Sequence, residues 1–373
     1  MTMNIGISLS GGGMRAAVFH LGVLARLADE QLLEEVTFLS TVSGGSLAVG
    51  VVLENPGDGW PSSEIYRKTT LPRLQSLLTS VDLQAAYVWR TLLTPWKLLH
   101  GRASVLGAAI EDKWGISGRV AELPETPRWI LNTTCYETGK NFRFMLKRMG
   151  DYRTNYVLNP DFPLADAMAA SAAYPGLIGP LSFRTRDYQW SRLRDGGNGE
   201  PVEPTYPKLH LWDGGVYDNL GLEALFKPAD GLRDGVDFLI VSDASAALTS
   251  NPPRFKAPLH LVGIAMDQVR SMRARAIVAH FIQNPGTGAY LRIGNTAREI
   301  FERAGVTPPD GWIEHAAMPK HEAMRAAGME TTFQRLSQEE FFLLVRHGYE
   351  VADATLVAYA PERFSHMSSR TLQ

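Results

Sequence analysis

Three glycine-rich breaks hold the residues of this chain best suited to covalent chemistry. The segment Ser43-Gly44-Gly45-Ser46-Leu47-Ala48 follows an apolar run and opens a helical pattern. Strand, sharp turn, serine, helix is the geometry of a nucleophile elbow, whose strained backbone demands small neighbours. With Ser46 as nucleophile, Gly44 and Ala48 fill the positions two before and two after, and Gly45 adjoins the serine. Alanine stands there in place of the second glycine of G-x-S-x-G. A serine at a helix start also sits where the helix dipole favours an anion; the same residue would equally serve as a plain N-cap.

The first break, Ser10-Gly11-Gly12-Gly13-Met14-Arg15, aims consecutive backbone N–H groups into one space at a helix start, an anion nest. In acyl transfer that anion is the oxyanion of the tetrahedral intermediate, and one lost donor costs on the order of 3 kcal/mol. Arg15 steadies the loop, adds positive potential, or forms a surface ion pair. Gly11 to Ala16 also match the dinucleotide fingerprint G-x-G-x-x-A. The second strand, however, ends in Thr41-Val42-Ser43 and not in a ribose-binding acid, which favours the oxyanion role. In the third break, Asp213 ends a short apolar strand and Gly214 and Gly215 turn the chain away, presenting a carboxylate as general base for the serine. A second Asp-Gly-Gly at Asp195, Gly196 and Gly197 lacks a preceding apolar strand and reads as a loop turn.

Positioning these breaks requires a sheet. Asn4–Leu9 and Val36–Val42 read as strands, with a helix over Met14–Ala28 between them and another opening at Ser46. That order predicts an α/β fold: a mainly parallel central sheet flanked by helices on both faces. Further strands are expected at Trp129–Thr134, Asn141–Leu146, Leu181–Trp190, Lys208–Trp212 and Phe238–Ser242. One long helix with Trp89, Trp96 and Lys97 is expected over Arg73–His100, kinked or ended at Thr94-Pro95. Leu164–Ala173 read as a small-residue helix, Arg192–Pro207 as a surface insertion, Leu261–Ile282 as a long helix, and Thr331–Ala360 as a helical C-terminal elaboration. With no internal repeat or clear linker, 1–373 is expected to form one domain, 226–373 packing on the rest.

Three such segments in this order resemble the patatin-like phospholipases, whose signatures are a glycine-rich oxyanion loop with a following arginine, a G-x-S-x-G elbow and a D-G-G or D-G-A aspartate. Two softer similarities lie between them, at Cys135–Lys140 and at Ala169-Ala170-Ser171-Ala172-Ala173-Tyr174-Pro175-Gly176. The resemblance spans about residues 4 to 225. It implies a Ser–Asp dyad, here Ser46 and Asp213, with Gly11, Gly12, Gly13 and Arg15 at the oxyanion hole, and a phospholipid or other lipid ester as substrate. Bacterial relatives in that family include secreted toxins and nucleotide-switched effectors of antiviral defence; the sequence assigns the chain to neither group.

Composition bounds the rest. Hydrophobic residues make up 45% and charged residues 20% of 373, which fits a packed core and not disorder. A net charge of −2 gives no electrostatic case for nucleic acid. The single cysteine, Cys135, fits a reducing compartment. The N-terminus shows no basic n-region of a signal peptide, and no apolar run is long enough to span a bilayer, so a cytoplasmic protein with at most one-sided membrane contact is expected. The Trp-bearing helix is either such a contact or packed on the sheet. His260 and His280 are the triad candidates by chain order, and His20 and His210 lie near the site in sequence. His315 and His321 are too sparse for a metal, so no metal and no cofactor are expected.

Overall fold

The parallel strands expected at the start of the chain do lie side by side. The computed structural model describes residues 3–53, 59–94, 101–193, 199–246, 257–315 and 317–367. Its strands are β1 (Ile5–Leu9), β2 (Val36–Thr41), β3 (Arg128–Cys135), β4 (Asn141–Met145), β5 (Arg148–Asp151), β6 (Asn155–Leu158) and β7 (Leu181–Arg184). They continue as β8 (Trp190–Leu193), β9 (Gly199–Val202), β10 (Lys208–Asp213), β11 (Phe226–Lys227), β12 (Gly231–Leu232), β13 (Phe238–Asp243) and β14 (Gly288–Arg292). The helices are α1 (Gly13–Asp29), α2 (Gly44–Val52), α3 (Ser63–Ile65), α4 (Leu71–Ser80), α5 (Leu83–Leu93), α6 (Arg102–Trp114) and α7 (Leu164–Ser171). Then follow α8 (Gly215–Asp218), α9 (Ala257–Gln283), α10 (Ala297–Ala304), α11 (Trp312–His315), α12 (Lys320–Gly328) and α13 (Gln338–Tyr359).

The central sheet runs β14-β13-β1-β2-β3-β4-β5-β6-β8-β9, and β10 joins β3 to β7. From β14 to β3 every pairing is parallel. From β3 outward the sheet turns antiparallel, a wing of short hairpins. β1, β13 and β3 are buried along nearly their whole length, as strands covered on both faces must be.

Several boundaries differ from those the spacing predicts. The helix expected over Arg73–His100 is two helices, α4 and α5, because the Asp82 carboxylate accepts from the Ala85 amide at 2.7 Å and starts a new helix there. Trp96, Lys97 and Asp195–Gly197 lie outside the described residues. The strand expected over Leu181–Trp190 breaks at Thr185–Asp187 into β7 and β8. The expected insertion at Arg192–Pro207 holds β9, which pairs with β8. In the C-terminal part the helix begins only at Gln338, after a Ser337–Glu340 capping box. No helix among the described residues is long and apolar enough to cross a membrane.

α1 is apolar almost all round and buried from Gly13 to Ala28, so it needs cover on every side. α13 supplies much of it. A side chain at Gly22 would collide with the Val345 carbonyl, and one at Gly348 with the Phe19 carbonyl, so the two helices touch backbone to backbone. His20 and Arg26 are buried with α1, and each is satisfied. Arg26 meets Asp353 at 2.5 Å and Glu30 at 2.9 Å. The His20 ring lies 3.0 Å from the Ser10 carbonyl and 2.9 Å from the Ser242 hydroxyl.

Candidate active site

The strained turn after β2 falls at Ser43. Its backbone sits at φ 49, ψ −114, a region that costs a non-glycine residue of order 1–3 kcal/mol and persists where surrounding structure enforces it. β2 ends at Thr41 and α2 begins at Gly44, so the single sharp bend between strand and helix has Ser43 near its apex. The small residues this bend needs are the two that follow. A side chain at Gly44 would strike the Gly13 carbonyl, and one at Gly45 the Leu9 carbonyl. Gly44 and Gly45 thus let α2 lie against the first glycine loop and the end of β1.

Ser46, expected at the apex from the Gly44-x-Ser46-x-Ala48 spacing, lies instead in the first turn of α2, fully buried, as does Ala48. Its hydroxyl is 2.8 Å from Thr41 Oγ1 and 2.8 Å from Ser171 Oγ. The ends of this chain fix the proton directions. The Trp129 indole N–H can only donate, to Thr41 Oγ1 at 2.8 Å, and the Asn132 carbonyl can only accept, from Ser171 at 2.8 Å. Thr41 therefore donates to Ser46, Ser46 to Ser171, and Ser171 to Asn132. Ser171 Oγ also accepts from the Ser43 amide at 3.0 Å. The Ser46 hydroxyl has both its roles filled, and no carboxylate among the described residues is one of its partners. It props the elbow from below.

Asp213 faces Ser43. Its Oδ1 accepts from the Gly215 amide at 2.7 Å, and its carboxylate accepts from the Ser43 hydroxyl. Gly214 and Gly215 earn their positions sterically: a side chain at Gly214 would collide with the Asn132 carbonyl, and one at Gly215 would fall 2.9 Å from Asp213 Oδ1. β10 runs antiparallel to β3 with Asp213 opposite Thr133, so the aspartate reaches the elbow from the opposite chain direction. The end of α7 holds it there: the Asp213 amide donates to Ala173 at 3.1 Å and the Gly214 amide to Ser171 at 3.3 Å. This is the task of the small-residue helix Leu164–Ser171, whose alanines let it pack close. Burial drives the Asp213 carboxyl up to about 7, against the pull of the Gly215 and Ser43 hydrogen bonds. A carboxylate with that pKa is matched to proton transfer near neutral pH.

The first glycine loop wraps the same serine. A side chain at Gly11 would lie 3.2 Å from Ser43 Cβ and would overlap the Asn219 side chain. The Gly11 amide is already used, donating to the Asn219 carbonyl at 3.0 Å, so Gly11 serves close approach and not anion binding. The amides of Gly12 and Gly13, at φ 145 and 61, donate to no acceptor among the described residues. Arg15 is buried and not in a surface ion pair. It donates to Met329 O at 2.6 Å and Ala244 O at 3.1 Å, and burial brings its pKa down to about 10 despite Asp243. Arg15 fastens the loop from behind, and the Met14 amide adds a bond to Thr332 O at 3.0 Å.

No histidine among the described residues bonds to Ser43 or Asp213. Burial pushes His20 down to about 4. Its Nε2 donates to the Ser10 carbonyl and its Nδ1 accepts from Ser242, which anchors the start of the loop. His210 lies on the other face of β10 from Asp213 and bonds to Glu137 at 2.5 Å. The His280 ring packs on Phe226 and Phe281. Sequence spacing missed Ser43, Ser171 and Asn219. Asn219 fills the gap between Gly11 and Gly215 and donates to Ser245 at 2.8 Å. The signal for Ser43 was present: it immediately follows the apolar strand, and an elbow leaves no room for a three-residue lag.

The family model for the patatin-like phospholipases matches residues 7–226, the stretch that contains all three breaks. A patatin-like phospholipase domain-containing protein of Aspergillus oryzae is 26% identical over 238 residues, 63% of this chain and 28% of that protein. One of Pyricularia oryzae is 27% identical over 237 residues, 63% of this chain and 26% of that protein. The chain thus spans little more than a quarter of the length of these curated relatives. Among solved structures, human GIVD cytosolic phospholipase A2 superposes with a TM-score of 0.55 at 12% identity, covering 97% of this chain and 62% of that one. Its fold, a mixed sheet with a parallel centre and a helical C-terminal region, is the fold seen here. With more than half of its length matched, the chain belongs to the patatin-like phospholipase family.

Proposed function

We propose that the protein is a serine lipid acyl hydrolase of the phospholipase A or lysophospholipase type, with Ser43 as nucleophile and Asp213 as its base. The observation that carries this is the Ser43 hydroxyl bonded to a buried carboxylate at the strained apex of an elbow. Asp213 takes the hydroxyl proton as Ser43 Oγ adds to the ester carbonyl. The Gly12 and Gly13 amides receive the oxyanion. The alcohol leaves with the proton that Asp213 returns, and water attacks the acyl-serine by the same route to release the fatty acid. Gly11, Gly44, Gly45, Gly214 and Gly215 keep three backbones close enough for this, and Arg15 holds the loop. Among the described residues the Ser43–Asp213 pair has no histidine partner, which supports a dyad.

The substrate's approach is marked by apolar surface. Val88, Trp89, Leu92 and Leu93 of α5 are exposed, as are Leu177 and the α9 residues Leu261, Val262 and Ile264. These segments meet at the loop that follows α7: the Tyr87 hydroxyl reaches Ile178 O at 3.5 Å, and Gly176 abuts Leu259. Tyr174 of that loop feels the Asp213 charge. We read this surface as a peripheral membrane contact that delivers lipid to the serine. The dinucleotide alternative is disfavoured because Ser43 and Asn219 crowd Gly11, where a pyrophosphate would approach.

The test is covalent labelling with a fluorophosphonate probe. Wild type and Ser46→Ala should label, and Ser43→Ala should not. Labelling of Ser43→Ala equal to wild type sinks the assignment. Tight dinucleotide binding by an unlabelled wild type would favour the alternative.

A further inference from the structure

One face of the antiparallel wing gathers arginines that the acyl-transfer chemistry does not use. Phe38 pairs with Arg128, Leu131 with Phe144, and Met145 with Arg148. Because side chains alternate along strands, Phe38, Arg128, Arg143 and Arg148 share that face across four adjacent strands. Arg233, just after β12, reaches the same place. The guanidinium carbons of Arg128 and Arg233 lie 5.5 and 4.8 Å from the centre of the one Phe38 ring, and that of Arg148 lies 5.0 Å from the Tyr156 ring. At these distances each guanidinium lies within cation–π range of a ring, which favours keeping the cations together.

Three of the four arginines lack a carboxylate partner among the described residues. Arg143 meets Glu223 at 3.3 Å. Arg128, Arg148 and Arg233 form no ion pair with any carboxylate among the described residues, and Arg233 gives one N–H to Ala224 O at 3.3 Å. By contrast Arg26 pairs with Asp353, Arg270 with Asp243 and Arg273 with Glu223. Burial and the charges of Arg128, Arg143 and Arg148 hold the Arg233 guanidinium below its usual pKa, with Asp234 opposing. Like charges on neighbouring strands destabilise a sheet, and a bound anion removes that repulsion. The guanidinium fork suits phosphate oxygens in particular.

We propose that Arg128, Arg148 and Arg233 form a binding site for a phosphate group, separate from the serine site. Phe38 lies roughly 10 Å along β2 from Thr41, toward the end of the sheet away from the elbow, so the phosphate of a substrate at Ser43 does not fill it.

The test titrates the whole protein with inorganic pyrophosphate at constant ionic strength, read by melting temperature and by the emission of tryptophan, of which Trp129 adjoins Arg128. In parallel, sedimentation compares phosphatidic acid with phosphatidylcholine vesicles. The expected result is saturable binding in at least one arm, weakened tenfold or more in Arg128→Gln and in Arg233→Gln and partly kept in Arg→Lys. A response to pyrophosphate assigns a soluble phosphate, and selective sedimentation with phosphatidic acid alone assigns a lipid headgroup. No saturable response in either arm overturns the proposal, as does a response that survives in the Arg128→Gln/Arg233→Gln double variant. Fluorophosphonate labelling of Ser43 is expected to be equal in all these variants. The phosphate site can therefore fail while the hydrolase assignment stands.

Discussion

Ser43 and Ser46 are three residues apart and stand in opposite environments. Ser43 sits on a strained bend with its hydroxyl on a buried carboxylate. Ser46 sits in the first turn of α2, its hydroxyl enclosed in a line of donors and acceptors from Trp129 to Asn132. A saturated hydroxyl contributes rigidity, and one aimed at a base contributes reactivity. The second serine thus makes the first possible, since Ser171, which accepts from Ser46, also holds the Ser43 amide.

This contrast can be broken by experiment. The largest effect is expected for Ser43→Ala, which should lower ester hydrolysis by about 10⁴-fold or more with an unchanged circular dichroism spectrum, an order set by loss of a covalent nucleophile. Asp213→Asn should cost about 10²–10⁴-fold, the usual worth of a positioned base. In the wild type, kcat/KM should climb as pH rises through about 7 and then level off, because only the ionised carboxylate accepts the proton. A profile flat from pH 5 to 9 would remove Asp213 from the base role. Gly45→Ala places a methyl on the Leu9 carbonyl and should lower stability by roughly 1–3 kcal/mol, read as a fall in denaturation midpoint. Ser46→Ala should cost about 1–3 kcal/mol by leaving Thr41 without its acceptor, while kcat stays within a few-fold of wild type.

The smallest effect is one of linkage. The folded-state pKa of Asp213 is raised, so its protonated form is the one the fold prefers. Its contribution is fully present below the unfolded value of about 3.9 and is lost as pH rises through about 7. Asp213→Asn should therefore match wild type in stability at low pH and exceed it above pH 7, in urea titrations across that range.

Much of this was legible in the chain. Apolar runs ending in glycines placed β1, β2 and β10, and with them the loop, the elbow and the aspartate, because a buried parallel strand has few alternative sequences. The spacing pointed to Ser46 while the bend falls at Ser43, because each serine matches the elbow template at one end only. Ser46 has Gly44 before it and Ala48 after; Ser43 has Gly45 after it and Thr41 before. Thr41 is tolerated since its hydroxyl joins the line to Ser46, a fact of tertiary contact. The hairpins from β4 to β9 were only half visible, since short edge strands carry little periodicity. The Arg128–Arg233 neighbourhood joins residues more than a hundred positions apart and leaves no local trace.

The fastening of the glycine loop also sets an order of events during synthesis. Its bonds to Met329 and Thr332, and the cover that α13 gives α1, come from residues translated some three hundred positions after the loop itself. A nascent chain that already carries Ser43 and Asp213 still lacks the residues that fasten its glycine loop. The loop is fastened in full only when the last long helix closes over the first.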